Sequence, residues 1–342
     1  MEKSLVLTVA VPVYNMEKWL AKNLRTYCAK SLVGKIEVLV LNNASEDRSK
    51  EIIEEFCRNY PELFRLCDRS SRGYGSSINE AVRIASGRYF RIVDADDWVD
   101  TGELERLVGL LGTCGADLVQ TDYSTVSLRT GESKSFSAAS AEIAYGALYH
   151  DLGPCIKWPP CIHSTTFRTS ILRDSGFRMQ DKLFFVDEEY VVLPCLYIKS
   201  VIFYNCNVYR YQISDPGQST SPANRAKYRG HREKILRRLI HEYQKEKAAG
   251  RLSESTEQYA FFRIAAGVGD HFTTLLMYVS DRRAGWEEAK SWSCFLKREA
   301  PEFIGPNRKK MLLLELLNRF HVTISSYERL KSLLRAGHLN FA

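Results

Sequence analysis

The sequence predicts an α/β protein with a mostly parallel, doubly wound sheet and a helical C-terminal extension. Three observations carry this. Apolar runs of strand length alternate with amphipathic stretches from residue 5 to about 120. The run Tyr89 to Val93 leads straight into Asp94-Ala95-Asp96-Asp97, so three carboxylates stand behind a buried strand. From about Asn224 the pattern becomes helical throughout. Connections long enough for crossovers argue for parallel pairing.

Leu5 to Val13 is nearly continuous in apolar residues, as a strand covered on both faces should be. It ends at Tyr14-Asn15, and a helix is expected over 17–29. Ile36 to Leu41 is the second strand, and it runs into Asn42-Asn43-Ala44-Ser45-Glu46-Asp47 with Ser45 placed to cap the helix 48–59. A short strand follows at 63–67. Arg72-Gly73-Tyr74-Gly75-Ser76-Ser77 then opens the helix 78–85, which Gly87 is placed to end. After the acidic turn come a helix over 103–111 and a strand over 117–120 that extends the sheet. Asp97 is expected to cap the first of these.

Past Thr121 the rhythm breaks. Tyr123 to Phe136 has the pattern of a polar hairpin, and Pro154, Trp158, Pro159 and Pro160 mark an irregular stretch. Phe184 to Tyr190 leads into a helix reaching about Tyr197, followed by two strands, 201–204 and 208–211, and a loop over 214–219. Helices are expected over 227–248, 254–278, 285–297, 308–319 and 325–335. The expected domains are 1–220, split at 121/122, and a basic helical region, 221–342.

Composition narrows the class. A hydrophobic share of 45% with 26% charged residues suits a soluble chain able to bury a core. Nine cysteines occur without a Cys-X-X-Cys pair, which argues against a disulfide framework or zinc site and for a reducing, cytoplasmic setting. The N-terminus has no signal-peptide pattern, and Arg263, Asp270 and His271 interrupt the most apolar window, 261–280. Net charge is +7 but uneven. Residues 1–220 hold 25 Lys+Arg against 28 Asp+Glu, whereas 221–342 hold 23 against 13. The basic excess is therefore a property of the C-terminal region alone. No nucleic-acid partner is expected.

Asp94 and Asp96 lie two apart, and extended geometry would point both to one side. Carboxylates at the carboxyl end of a strand suit a divalent cation shared with ligand phosphates; the plainer reading is an acidic helix-capping turn.

Val11-Pro12-Val13-Tyr14-Asn15, the Asn-Asn-Ala-Ser-Glu-Asp turn, Arg-Gly-Tyr-Gly-Ser-Ser-Ile-Asn and Val-Asp-Ala-Asp-Asp-Trp, in that order and spacing, resemble family-2 glycosyltransferases of the GT-A (Rossmann-like) fold. The resemblance is close through residues 8–100 and weaker to about 220. It implies an inverting transfer from a nucleoside-diphosphate sugar, with a UDP-sugar favoured, to a hydroxyl of a glycan or lipid-linked acceptor in bacterial cell-surface or exopolysaccharide synthesis. Pro12, Val13 and Tyr14 would flank base and ribose, although Tyr14 also suits a packed strand end. Asn42-Asn43 stands where the family commonly has Asp-Asp or Asp-Asn. Gly73 and Gly75 would let the backbone approach the ligand, with Asn79 beside them. Asp94 would contact ribose or donor sugar, and Asp96 would bind Mn²⁺ or Mg²⁺ bridging the phosphates, with Ala95 between them.

The same resemblance places the catalytic base in Val186-Asp187-Glu188-Glu189-Tyr190, at Asp187 or, one register away, Glu188. Arg210 and the Gln218-Ser219 loop would close over the diphosphate. His163 is expected to be structural or to face the acceptor rather than ligate a metal. Two other classes stay open, a nucleotidyltransferase and a catalytically inactive scaffold of this descent. For the C-terminal helices, structural packing competes with peripheral contact between a basic face and an anionic membrane.

Overall fold

The computed structural model describes residues 5–157, 159–213 and 221–335. The strands and helices of the first half are β1 (Leu7–Val13), α1 (Glu17–Arg25), β2 (Ile36–Asn43), α2 (Ser49–Asn59), β3 (Phe64–Arg69), α3 (Tyr74–Ile84), β4 (Tyr89–Ile92), β5 (Trp98–Val99) and α4 (Thr101–Thr113). Then follow β6 (Leu118–Ser127), β7 (Ser133–Phe136), β8 (Leu148–Tyr149), α5 (Gly153–Lys157), β9 (Thr165–Arg168), α6 (Thr169–Asp174), α7 (Asp187–Val192) and β10 (Val201–Ile213). The helical part holds α8 (Pro222–Lys227), α9 (Arg229–Ala248), α10 (Glu254–Thr273), α11 (Arg282–Glu299), α12 (Arg308–Arg319) and α13 (Ile324–Arg335).

The ten strands among the described residues form one sheet whose main path is β3-β2-β1-β4-β9-β6-β10-β5. The strands β3, β2, β1 and β4 are parallel neighbours, as their long crossovers require. β6 does not extend them directly. β9 lies between β4 and β6, antiparallel to both. The expected strands at 201–204 and 208–211 are one strand, β10, whose register with β6 shifts between Tyr204 and Tyr209. The local irregularity at 205–207 therefore marks a bulge rather than a break. The polar hairpin is formed by β6 and β7.

The sheet is covered on both sides. Leu7, Val9, Val11 and Val13 join Val38 and Val40 in one apolar cluster with Leu20 and Leu24 of α1, Ile53 of α2, and Leu104 and Leu107 of α4. Alternation puts Ala10, Leu39 and Leu41 on the other face, where α3 packs on β1 and β2. Two expected caps act differently. α3 ends at Ala85, and Gly87 is needed because a Cβ there would lie 2.3 Å from the Thr8 backbone nitrogen. α2 begins at Ser49, and Ser45 instead accepts a hydrogen bond from the Asn15 amide.

The chain divides into two units, Met1–Asp215 with Lys245–Ala260, and Pro216–Gln244 with Phe261–Ala342. The boundary falls near residue 215, and a segment of the helical region returns to the first unit.

In the second unit, α10 passes into a π-helical turn, Thr274–Tyr278. The Leu276 carbonyl there accepts from Asn318 Nδ2 at 2.7 Å and Arg282 Nη1 at 3.0 Å. No helix among the described residues is long and apolar enough to cross a membrane. His271 is buried against Trp292, ring centroids 5.3 Å apart, and neither ring nitrogen has a hydrogen-bond partner among the described residues. Burial, then Arg232, Arg225, Arg237 and Arg229, hold its pKa down to about 3. Between about pH 6.5 and about pH 3 the unfolded chain binds this proton while the folded one does not, so stability is lost as the pH falls through that window. His271→Phe is expected to flatten the acid side of the melting-temperature profile. The slope it removes is at most about 1.4 kcal/mol per pH unit.

Candidate active site

Two βα turns form the floor. Asn15 and Ala44 take left-handed conformations, with φ of 52° and 54°, and turn the chain sharply after β1 and β2. Side chains then lace the turns together. The Asn15 amide donates to Ser45 Oγ at 3.1 Å, Glu46 N–H to Asn15 Oδ1 at 2.8 Å, Met16 N–H to Ser49 Oγ at 2.8 Å, and Glu17 N–H to Asp47 Oδ2 at 2.9 Å. These bonds satisfy amides that a helix start leaves open.

Above this floor lies a cleft of about 340 Å³ lined by Pro12, Tyr14, Met16, Asn43, Arg72, Gly73, Tyr74, Asp94, Ala95 and Asp96. Seven of the expected site residues meet here. Val13 does not, because it points into the apolar core. Asn42 is buried, with its amide donating to Asp68 and its carbonyl oxygen accepting from the Ser45 amide. Asn43 donates to Ser77 Oγ, but its carbonyl oxygen is buried without a partner among the described residues. A buried acceptor left open in this way is costly, and here it belongs to a residue lining the cleft. Arg72, which the sequence reading passed over, lies 4.4 Å over the Tyr14 ring and pairs with Glu46.

The turn after β4 is fixed from three sides. Asn23 of α1 donates to the Asp94 and Asp97 carbonyls at 3.0 and 2.8 Å. Asp97 is buried and accepts from Tyr209 Oη at 2.5 Å and the Gln212 amide at 2.7 Å. It therefore ties the turn to β10, while Asp100 is the residue that caps α4. Asp94 and Asp96 are left facing the cleft. Tyr74 donates to Asp94 Oδ1 at 2.9 Å. Burial first, then the charge of Asp96, push the Asp94 carboxyl up to about 7, against the lowering effect of Tyr74; Asp187 adds to the rise. Burial also raises Asp96.

A divalent cation fits this donor set. Two desolvated carboxylates face one cleft with no ion-pair partner for either among the described residues. No third His, Cys, Asp or Glu completes a protein-only cage among those residues. Mg²⁺ and Mn²⁺ accept such sites, taking their remaining oxygens from ligand phosphates and water.

The glycines act through protein packing. A Cβ on Gly75 would fall 2.0 Å from the Gln180 carbonyl oxygen, and one on Gly73 would fall 2.3 Å from the Asp181 carboxylate. Both make room for a strap, residues 179–181. Asn79 grips the backbone N–H and carbonyl of Met179 at 2.8 and 2.9 Å. Glu189 accepts from the Gln180 amide and side chain at 2.7 and 2.6 Å, and Asp181 accepts from the Ser76 amide at 3.1 Å. Asn79 and Gly75 thus hold the strap instead of lining the cleft, whereas Gly73 does both.

This strap sets the start of α7. Glu189 is fully buried in it, Glu188 is half-buried, and Asp187 is exposed. The charge of Asp187 reaches Tyr74, Asp94 and Tyr211, raising all three. Of the two expected base candidates, Asp187 is the one whose charge is felt across the cleft. Arg210 is engaged elsewhere, donating to Asn207 at 2.6 Å and Asp100 at 3.0 Å, and it is absent from the cleft lining. Gln218-Ser219 and Trp158 lie outside the described residues. His163 stacks on Tyr211, centroids 4.3 Å apart, above the buried Arg91 that donates to its carbonyl. Burial, then Arg91, lower its pKa to about 4, so the ring is neutral at pH 7.

Residues 8–175 match the model of the family described as "Glycosyl transferase family 2". "Glycosyltransferase GlyA" of Streptococcus pneumoniae is 32% identical over 117 residues, which cover 34% of this chain and 16% of that protein. "Uncharacterized glycosyltransferase YibD" of Escherichia coli is 31% identical over 130 residues, 37% of this chain and 36% of that one. The chain thus spans about a third or less of the length of these relatives. Among solved structures, residues 1–349 of Staphylococcus aureus TarS superpose with a TM-score of 0.64 at 16% identity, covering 95% of this chain and 92% of that one. At that identity the likeness is one of fold.

Proposed function

We propose that this chain, whose residues 8–175 are a family-2 glycosyltransferase domain of the GT-A fold, is an inverting sugar transferase using a nucleoside-diphosphate sugar. The carrying observation is the single cleft that joins Tyr14 and Asn43 to Asp94 and Asp96, with the charge of Asp187 felt across it. A UDP-sugar is the favoured donor. Structures of TarS with UDP-GlcNAc and with UDP, TM-scores 0.57 and 0.60, support that choice by analogy of fold.

In this reading the base stacks on Tyr14, and the open acceptor on Asn43 takes an N–H of the base or a ribose hydroxyl. Arg72 faces the diphosphate, the task expected of Arg210. Asp94 and Asp96 would hold the Mn²⁺ or Mg²⁺, which when bound would supply positive charge against the departing diphosphate. Asp187 removes the proton from an acceptor hydroxyl as its oxygen bonds to the anomeric carbon. The bond from that carbon to the diphosphate oxygen breaks, its electron pair leaves with the nucleoside diphosphate, and the configuration inverts. The acceptor is a glycan or lipid-linked glycan, in cell-surface or exopolysaccharide synthesis at the cytoplasmic side of a membrane.

A screen of sugar nucleotides with Mn²⁺ or Mg²⁺, with and without glycan acceptors, tests this. One donor is expected to release its nucleoside diphosphate in a metal-dependent way. Donor binding with no turnover under any acceptor would assign the cleft to a binding protein.

A further inference from the structure

The outer face of α12 breaks the pattern of a solvated helix. Met311, Leu314 and Asn318 point inward and are buried, yet Leu312, Leu316 and Phe320 just after the helix are 54%, 53% and 75% exposed. At 100° per residue, Leu312, Leu313, Leu316 and Phe320 fall on one stripe, and Trp286 of α11 lines a groove with Leu312 and Leu316. Single exposed apolar residues need no explanation, but a contiguous row does.

Charge says what the row faces. Lys309 projects from the same stripe, and Arg308 and Arg319 run along its edge; Glu315 is the one acidic residue of the helix. Arg283 and Arg319 line the groove beside Trp286. The second unit as a whole carries 20 Lys+Arg against 10 Asp+Glu. Exposed leucines and aromatics rimmed by basic side chains match a membrane interface, where apolar groups enter the acyl boundary and cations meet anionic headgroups.

We propose that the α12 face, with Trp286, docks on an anionic lipid surface. The binding requires neither donor nor transfer, so it is tested separately from the proposed activity. The whole chain is sedimented with vesicles of phosphatidylcholine alone and of phosphatidylcholine mixed with phosphatidylglycerol, at low and high salt. Binding is expected on the mixed vesicles only, weakening with salt. Lys309→Gln with Arg319→Gln should lower it about 25-fold, about fivefold for each charge. Leu316→Ser with Phe320→Ser should lower it about tenfold or more, and Arg58→Gln, an exposed arginine in the first unit, should leave it unchanged. Circular dichroism checks that each variant folds, and light scattering reports mass. The proposal is overturned by absence from mixed vesicles at low salt or by variants that bind as the parent does. A dimer dissolved by the serine variants would give the face to a second copy of the chain.

Discussion

Asp187→Asn is expected to slow turnover about 10²- to 10⁴-fold, the usual contribution of a positioned proton acceptor, with donor affinity little changed. The amide keeps the size of the side chain but accepts no proton, and the residue is exposed at the first turn of α7 without lining the donor cleft. Glu188→Gln should cost much less. Glu189→Gln is a different case, because both of its oxygens hold Gln180. Losing one acceptor there should loosen the strap and lower the melting temperature along with activity. Single-turnover rates with saturating donor, paired with calorimetric donor titration, separate these outcomes. If Glu188→Gln is the slow variant and Asp187→Asn is near normal, the base is Glu188.

Much of the donor half was legible because its signals are local. A strand covered on both faces has to be apolar throughout, and four turn motifs in order fixed where those strands end. The cleft accordingly gathers Pro12, Tyr14, Asn43, Gly73, Asp94, Ala95 and Asp96. What the sequence left unread were contacts between residues far apart in the chain. The resemblance puts Asn79 in the site, at the start of a helix, but its amide meets Met179, 100 residues on. Gly75 has the sequence context of a ligand-facing glycine, yet the Gln180 carbonyl lies where its Cβ would be. Arg210 lies on the expected strand, but its guanidinium meets Asn207 and Asp100, the latter 110 residues earlier in the chain. The antiparallel β9, inserted between β4 and β6, follows an irregular stretch whose pattern carries no strand period.

Tyr74 and Arg72 were missed for another reason. Both stand in the glycine-punctuated motif, where attention falls on the glycines, and nothing in the pattern marks a tyrosine as the donor to a carboxylate 20 residues later. Asp97 shows the converse. Three adjacent carboxylates look alike in sequence, and burial separates them, sending Asp97 to Tyr209 and Gln212 while Asp94 and Asp96 stay at the cleft.

That separation makes the outcome at Asp96 specific. Asp96→Asn is expected to depress turnover about 10²-fold or more, since a bound cation contributes several kcal/mol of charge stabilisation to a departing diphosphate. Mn²⁺ in excess should rescue it poorly, because a neutral amide oxygen is a weak ligand for a hard cation. The fold should be undisturbed, as the Asp96 side chain ties no strand or helix in place among the described residues, whereas Asp97 holds Tyr209 and Gln212. Asp97→Asn should behave in the opposite way. It weakens the bonds that join the turn to β10, so it should melt at a lower temperature, and what remains folded should keep its metal requirement. Metal titration of turnover, with thermal melts of both variants, distinguishes the two. An Asp96→Asn enzyme with parental activity and parental metal dependence would remove Asp96 from the metal site, leaving its carboxylate as a group that merely borders the cleft.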